Sequence, residues 1–475
     1  MAARALRRVA SMVVRGGVGG SLLLLLLLAA LVVAGGRRLW PRLEPAGRWP
    51  LLPSPWPLTL PSPAAGSGAP LRLDSPGWRQ RSLGNPARQR YPHCWQAQAR
   101  TPWDLILWQQ QLYVGLGDSS NEGPTANAGP VPLLRYDPRR RLWHSDASLP
   151  EEAVERFVAA GDRLWIPGAD ARGSWRWGNL YGRRSGGRLW WQERRLPGFI
   201  HVHDLLPWRG ALVVAGSIEH AVPAGLGSET HGSAVAVSAD GGQHWSVTPL
   251  GGWRSTALLP VAGQLYALEA LPGPALQRWL LRQGRQARFH AVHQWQGGGT
   301  WIARPDLTAA ALLPEVPEAA RRFAWLEGVQ RWGDGAAWIA AIDPAPGAKA
   351  TRQAFAASNL AAGRVVVQRL PLPAGAMAMD LATTASGPVV LSSEPSGPGQ
   401  WLQTIVQFHQ SPAGWQPRPL LEFRTAAPAQ SLAGQSDHWF LGLGPAPGEP
   451  GETPPSRSSC TPAQNLSGTV VEVWR

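Results

Sequence analysis

Three observations predict an all-β protein, a seven-bladed propeller of four-stranded blades behind one N-terminal apolar helix. A short apolar strand recurs at a period near fifty residues, turn formers are dense (54 Gly and 46 Pro in 475 residues), and no amphipathic run of ten or more residues suggests a helical solenoid. The recurring strands begin at Leu112, Leu164, Leu212, Leu265, Ala337, Pro388 and His438, spaced by 52, 48, 53, 72, 51 and 50 residues. Another short strand precedes each, as in Trp103–Trp108, Val202–Pro207 and Met377–Thr383. All but the last are followed by a strand–turn–strand unit that often carries a tryptophan, as in Leu134 to His144, Leu180 to Trp191 and Ala234 to Val247. Four strands per repeat, seven times, is the pattern of a propeller. The interval of 72 holds extra residues, 296–321, in which Glu315 to Arg322 is a candidate short helix. An eighth blade would have to hide there, so seven is the expected number.

Composition sets the outer limits. At 44% hydrophobic and 16% charged residues the chain can bury a large core, which excludes global disorder. Two cysteines exclude a disulfide-dense scaffold and a four-cysteine zinc site. The net charge of +14 is uneven: residues 1–48 carry eight arginines against Glu44, and the other +7 is spread over more than 400 residues. Such a thin distribution lacks the dense basic stripe that tracks phosphates, so nucleic acid is not an expected partner.

The N-terminus reads as an export signal. Gly16 to Gly36 is an uncharged run that includes Leu22 to Leu28, and as a helix it reaches about 31 Å, enough to cross the hydrocarbon core. Arg4, Arg7, Arg8 and Arg15 precede it and Arg37, Arg38 and Arg42 follow, which favours a cytoplasmic N-terminus and an exported C-terminal bulk. Residues 1–40 are therefore an uncleaved signal anchor or a signal peptide cut after Ala34; the arginines beyond the run favour the anchor. The protein is then membrane-anchored outside the cytoplasm (periplasmic, lumenal or extracellular), or secreted after cleavage. Residues 41–77, with ten prolines, read as an extended linker, and residues 90–475 as the propeller.

One turn carries a family resemblance. Ser238-Ala-Asp240-Gly-Gly242-Gln-His-Trp245 follows the pattern S-x-D-x-G-x-x-W and resembles the Asp box of BNR-repeat, sialidase-like propellers. The resemblance implies a turn between the third and fourth strands of a blade, with Asp240 capping turn amides, glycine at Gly242 supplying positive φ and Trp245 packing beneath. It covers eight residues in one clear copy and speaks to fold rather than activity.

The ends predict how the ring closes. The last strand, Gly468 to Arg475, has no later partner, so a strand in the segment Arg90 to Gln96 is expected to complete the last blade and remove an exposed edge. Cys94 would lie in that strand and Cys460 before the last one, which predicts a Cys94–Cys460 disulfide.

With the Asp box joining strands three and four, the loops between strands two and three lie on the opposite face, together with the connections between blades. Long loops are expected at 118–131, 168–177, 217–233 and 445–468, from blades 7, 1, 2 and 3, and loop elaboration on a rigid scaffold marks the candidate ligand face. An acid stands six positions after the start of the second strand at Asp118, Asp170, Asp343 and Glu394, with Glu219 one position displaced. These carboxylates either accept turn amides or form an anionic rim for a cation, a basic partner or a hydroxyl-rich ligand. His201-Val-His203-Asp204 enters the first strand of blade 3; alternate residues share a strand face, so the two imidazoles could share a metal, with His220 or His231 as a third ligand. The competing reading is a His–Asp contact that locks neighbouring blades. Asp118-x-Ser120-Asn121-Glu122-Gly123 looks like part of a calcium loop but lacks the distant bidentate Glu. Arg172, Trp175, Arg176 and Trp177 could stack on sugar rings or bury between blades.

Catalysis finds little support. A sialidase needs an arginine triad, a Tyr–Glu nucleophile pair and an Asp acid; the Arg-Ile-Pro motif of that family is missing and none of the five tyrosines is placed in an expected ligand-face loop. Hydrolase and phosphate-loop motifs are also missing. The sequence thus reads as an exported, membrane-tethered, monomeric propeller that binds a protein or glycan without catalysis and without a resident cofactor. The alternative is a divergent, hydrolase-like enzyme using His201, His203 and the rim acids. Asn465-Leu-Ser467 is a glycosylation pattern, relevant only in a eukaryotic secretory pathway.

Overall fold

A computed structural model describes residues 46–51, 59–61, 69–119, 125, 128–168, 170, 177–187, 189–219, 231–250, 252, 254–269, 292–317, 324–342, 351–360, 364–445 and 460–475. The predicted N-terminal helix lies outside them, and no helix among the described residues is long and apolar enough to cross a membrane. Gly47–Arg475 forms one unit.

Seven antiparallel sheets surround a central axis. Four short strands come first in the chain: β1 (Gly47–Pro50), β2 (Thr59–Pro61), β3 (Arg72–Leu73) and β4 (Arg79–Gly84). Blade 1 is β5 (Asp104–Trp108), β6 (Gln111–Gly115), β7 (Val131–Asp137) and β8 (Leu142–Leu149). Blade 2 is β9 (Val158–Ala160), β10 (Arg163–Pro167), β11 (Leu180–Arg184) and β12 (Trp190–Arg194). Blade 3 is β13 (Phe199–Trp208), β14 (Ala211–Glu219), β15 (His231–Ser238) and β16 (Ser246–Pro249). Blade 4 is β17 (Ser255–Val261), β18 (Gln264–Glu269), β19 (Val292–Gly297) and β20 (Thr300–Ala303). Blade 5 is β21 (Ala324–Trp332), β22 (Gly335–Ile342), β23 (Thr351–Leu360) and β24 (Arg364–Arg369). Blade 6 is β25 (Met377–Thr384), β26 (Gly387–Gly397), β27 (Gln400–Ser411) and β28 (Gly414–Thr425). Blade 7 is β29 (Ala429–Gln435), β30 (His438–Leu443), β31 (Val470–Trp474) and, on its outside, β4.

Each sheet is covered on both sides by neighbouring blades, so its middle strands read as unbroken apolar runs rather than as apolar–polar alternation. Strand β22 shows the consequence. Ala336, Trp338, Ala340 and Ile342 pack toward blade 4, whereas Ala337 and Ile339 pack toward blade 6. The core is accordingly divided into clusters between successive blades, and the cluster of Leu83, Leu105, Trp143, Phe440 and Val470 joins blade 7 to blade 1.

The ring closes with an N-terminal strand, but not the expected one. Strand β4 pairs with β31, with Arg81 opposite Glu472 and Arg79 opposite Trp474. Cys94 lies in a one-turn 3-10 helix, Cys94–Gln96, and not in a strand. An outermost strand faces water, so Arg79-Gln-Arg-Ser-Leu-Gly is largely polar and lacks the apolar mark by which the other strands were recognised. The predicted Cys94–Cys460 disulfide is formed, with Cα atoms 5.2 Å apart.

The expected linker is also sheet in part. Strand β1 pairs with β12, β2 with β8 and β3 with β28, adding fifth strands to blades 2, 1 and 6. Proline is tolerated at a sheet edge, where its missing N–H faces outward, so the same extended geometry that suits a tether suits an edge strand. The propeller unit therefore starts well before residue 90. Among the described residues of 296–321 there is no eighth blade: Val292–Gly297 and Thr300–Ala303 complete blade 4, and a short helix spans Ala309–Leu312, while residues 318–322 of the predicted helix Glu315–Arg322 lie outside the described residues.

The predicted turn at 238–245 joins β15 to β16. Asp240 Oδ1 accepts the backbone N–H groups of Gln243 and His244, both at 2.9 Å, and Ser238 Oγ accepts that of Gly242 at 2.8 Å. Gly241 and Gly242 have φ of 70° and 92°. Trp245 packs against the cluster between blades 2 and 3.

Candidate functional site

Three chain segments meet on the face opposite that turn: the end of β6 through Ser119, the connection 150–157 between blades 1 and 2, and the end of β10 through Asp170. The N–H of Asp118 donates to Glu152 O at 3.0 Å, and the N–H of Glu152 donates to Asp170 O at 3.1 Å. The N–H of Asp170 donates to Glu151 Oε2 at 3.1 Å, and Tyr181 Oη donates to Glu151 Oε1 at 2.6 Å. Approach this close needs glycine. A Cβ at Gly117 (φ 127°) would lie 2.3 Å from Glu152 O, and one at Gly168 would lie 2.5 Å from Glu151 Oε1.

The carboxylates here are crowded and poorly hydrated. Glu151 is fully buried, which pushes its carboxyl well above the ordinary glutamate range, with the Tyr181 hydroxyl acting against the shift and the Asp170 charge adding to it. Glu155 is exposed at the edge of this cluster, with Ser119 Oγ donating to its Oε1 at 2.5 Å; Asp170 is raised by burial against the pull of Arg254. Tyr181 and Glu151 superficially form a tyrosine–glutamate pair. Tyr181, however, is fully buried and its phenol is held well above its usual range by burial and the Glu151 charge, the reverse of nucleophile activation.

The histidines stand beside this network. His201 and His203 project together, their rings stacked at 5.5 Å, on a stretch of β13 whose pairing with β14 shifts register between Phe199 and His201 and between Val202 and Asp204. His201 Nδ1 lies 3.9 Å from Asp170 Oδ1. Among the described residues no group of three His, Cys, Asp or Glu is placed to hold a metal ion. Locking of blades falls to Asp204 instead. Its Oδ2 accepts the Leu258 N–H of blade 4 at 2.8 Å, and its Oδ1 pairs with Arg156 Nη1 at 2.6 Å. Arg156 also donates from Nη2 to Val329 O of blade 5 at 2.8 Å, so one side chain from the blade 1–2 connection reaches across the axis.

Asp204 belongs to a set. Asp104 Oδ2 accepts the Phe157 N–H at the entry to blade 2 at 2.5 Å, and Asp380 Oδ2 accepts the Leu432 N–H of blade 7 at 2.7 Å. Burial raises the Asp104 carboxyl to about 7 and lifts Asp380 well above its ordinary range, the Asp104 charge adding to the latter. Asp104, Arg156 and Asp380 line a central channel of about 960 Å³ whose walls include Ile106, Leu206 and Leu381.

The sequence-derived candidates divide as follows. Asp118, Asp170, His201, His203 and Asp204 converge at blades 1–3. Asp118 is buried and accepts a hydrogen bond from Thr125 Oγ1 at 2.6 Å, which is the turn-capping role rather than an exposed rim charge. Glu394 does not join them: it sits in the hairpin of β26 and β27, opposite Leu402. Trp177 makes an isolated bridge to Pro197. Glu219 and His231 are paired in the backbone of blade 3, their side chains lying outside the described residues. Asn121, Glu122, Arg172, Trp175, Arg176, His220 and Asp343 also lie outside them. The interval between β18 and β19 of blade 4 was expected to be short, but β19 begins only at Val292, and residues 270–291 lie outside the described residues. The acids of Pro150-Glu-Glu-Ala-Val-Glu-Arg156 were missed, although three acids in six residues are conspicuous in a chain with 31 among 475.

The chain matches no protein family model, and no curated protein is similar to it in sequence. Among solved structures it is similar to a chain of a mitotic checkpoint complex, at 10% identity over 88% of this chain and 96% of that one, with a TM-score of 0.42. The β-propeller domain of the trilobed protease from Pyrococcus furiosus is similar at 7% identity, 66% and 79% coverage and a TM-score of 0.36. An α-L-arabinanase from Cellvibrio cellulosa is similar at 13% identity, 56% and 93% coverage and a TM-score of 0.31. These likenesses carry no functional argument. Seven sheets built on four-stranded blades, three of them carrying a fifth strand, establish the chain as an all-β, seven-bladed propeller.

Proposed function

We propose that this protein is a non-catalytic binding module, exported and tethered by its N-terminal segment, that holds a protein or glycan on the face built over blades 1–3. The observation that carries this reading is the network joining Asp118, Glu151, Glu152 and Asp170, which fixes the segments following β6 and β10 to the blade 1–2 connection as one rigid, acid-rich platform. The Asp118 and Glu151 carboxylates accept hydroxyl and turn N–H hydrogen bonds, so their role is to shape a surface rather than to transfer protons. The turn at 238–245 supports a relation to Asp-box propellers in fold only. The propeller is read as a monomer that needs no resident cofactor.

The test is a photo-crosslinking residue placed at Ser119 or, on the opposite face, at Gln243 in the full-length protein within its native membrane. A discrete adduct from Ser119 and none from Gln243 supports the reading; adducts confined to Gln243, or none from either site, overturn it. A divergent hydrolase is the second reading, favoured by His201 lying 3.9 Å from the Asp170 carboxylate. Turnover lost in His201→Ala with the Ser119 adduct retained would select it.

A further inference from the structure

A second site lies on the other face, where the N-terminal segment passes from blade 6 to blade 7. Strand β3 leaves blade 6 at Leu73 and β4 joins blade 7 at Arg79, and the residues between them are bolted to blade 6. The Asp74 N–H donates to Glu422 O at 2.9 Å, the Glu422 N–H to Ser75 Oγ at 2.8 Å, and Arg424 Nε to Asp74 Oδ2 at 2.9 Å. Two hydrogen bonds tie Gln80 to the Leu71 backbone: the Leu71 N–H donates to Gln80 Oε1 at 3.1 Å, and Gln80 Nε2 donates to Leu71 O at 2.6 Å. Beneath this crossing is a cavity of about 660 Å³ lined by Trp78, Thr384, Gln407, Arg418, Asp437 and Arg475, among others. A second lobe of about 390 Å³ shares Asp437 and Arg475 and continues over Trp474, Arg81, Glu472 and His438.

The polar groups of the main lobe are set in place before any ligand arrives. Arg418 Nη2 donates to Gln407 Oε1 at 2.7 Å, Gln407 Nε2 donates to Thr384 Oγ1 at 3.0 Å, and Thr384 Oγ1 donates to Gly387 O at 3.0 Å. Gln407 is only 8% exposed, so its amide is held by its partners. Charge is nearly balanced. Arg418 and Arg475 face Asp437 in one lobe, and in the other Arg81 and His438 both pair with Glu472. A strongly anionic ligand would meet two carboxylates, and an apolar one would desolvate a guanidinium. The partly exposed indole of Trp78 offers apolar surface beside fixed amide, hydroxyl, guanidinium and carboxylate groups, and in the second lobe the Arg81 guanidinium lies over the Trp474 ring at 5.8 Å. That mixture complements the C–H face and hydroxyl edge of a sugar ring, and the volume lies in the range of small-ligand sites.

We propose that this groove is a binding site for a short, uncharged oligosaccharide chain. It is independent of the reading given for blades 1–3 and lies on the opposite face. Because a ligand here touches the closing segment and both blades of the seam, it stabilises the closed ring by mass action.

The test is calorimetric titration of the full-length protein with maltotriose, cellotriose and chitotriose, repeated with inorganic phosphate. We expect at least one trisaccharide to bind with Kd below about 1 mM, to weaken about tenfold in both Gln407→Leu and Arg418→Met, and to be unchanged in Ser119→Ala. Arg418 is exposed, so Arg418→Met decides the matter if Gln407→Leu does not fold. No sugar binding at about 10 mM, binding unchanged in Arg418→Met, loss in Ser119→Ala, or phosphate binding with none of the sugars would each overturn the proposal.

Discussion

The carboxyl of Glu269 should make this protein less stable as pH rises through neutrality. It is 4% exposed at the end of β18, where Ser233 Oγ and the Gly252 N–H both donate to Oε1. Burial outweighs both contacts and raises its pKa from 4.5 to about 7. The folded state therefore holds a proton that the unfolded chain releases at lower pH. That contribution to stability is complete below pH 4.5 and is lost as pH climbs through about 7, the opposite of a salt-bridged carboxylate. The gap is worth about 3 kcal/mol. With an unfolding entropy of about 2 cal/mol/K per residue over roughly 430 residues, this corresponds to a Tm change of about 3–4 °C. Glu269→Gln keeps an acceptor for Ser233 and Gly252 but cannot titrate. Melting by calorimetry at about pH 5 and about pH 8 should show a drop in the wild type that is about 3 °C larger than in Glu269→Gln. An equal or larger drop in the variant would refute the reasoning, since Asp104, also raised to about 7, contributes to both proteins alike.

Three further outcomes are expected. Reducing Cys94–Cys460, whose partners are 366 residues apart, should cost about 2–4 kcal/mol and lower Tm by about 2–4 °C, read by melting with and without reductant. Asp204→Ala strands Arg156 in the channel and leaves the Leu258 N–H without its acceptor, so urea titration should show a loss of about 3–5 kcal/mol. Asp240→Ala removes the acceptor for two turn amides at an exposed site, and hydrogen exchange should quicken at Gln243 and His244 while exchange within β15 stays slow.

The architecture was legible because sheets buried on both sides write themselves as apolar runs, and the seven second strands from Leu112 to His438 could be counted. The outer strands were not legible for the same reason: β1 and β4 are half-exposed, and their polar or proline-containing sequences look like linker. The disulfide survived a misplaced closing strand, because Cys94 and Cys460 flank the seam whichever segment fills its edge. At the candidate site, His201 and His203 were found through strand alternation, whereas Glu151 and Glu155 were overlooked because the search followed second-strand ends and not blade connections. One available signal went unread. Asp-Leu lies in the inner strand of three blades, at Asp104, Asp204 and Asp380, and in each the carboxylate takes a backbone N–H at or beside the next blade's inner strand. No spacing rule could reveal that Arg156 spans the axis, because its partners come from blades 3 and 5.

The central claim is that the face over blades 1–3 is the occupied surface. Hydrogen-exchange footprinting of the full-length protein in its native membrane, compared with the purified protein, tests it most directly. The account predicts slower exchange on the membrane preparation at 115–119, 150–157 and 198–203, with the 238–245 turn unchanged. Equal exchange at all three segments, or protection confined to the 238–245 turn, would contradict it.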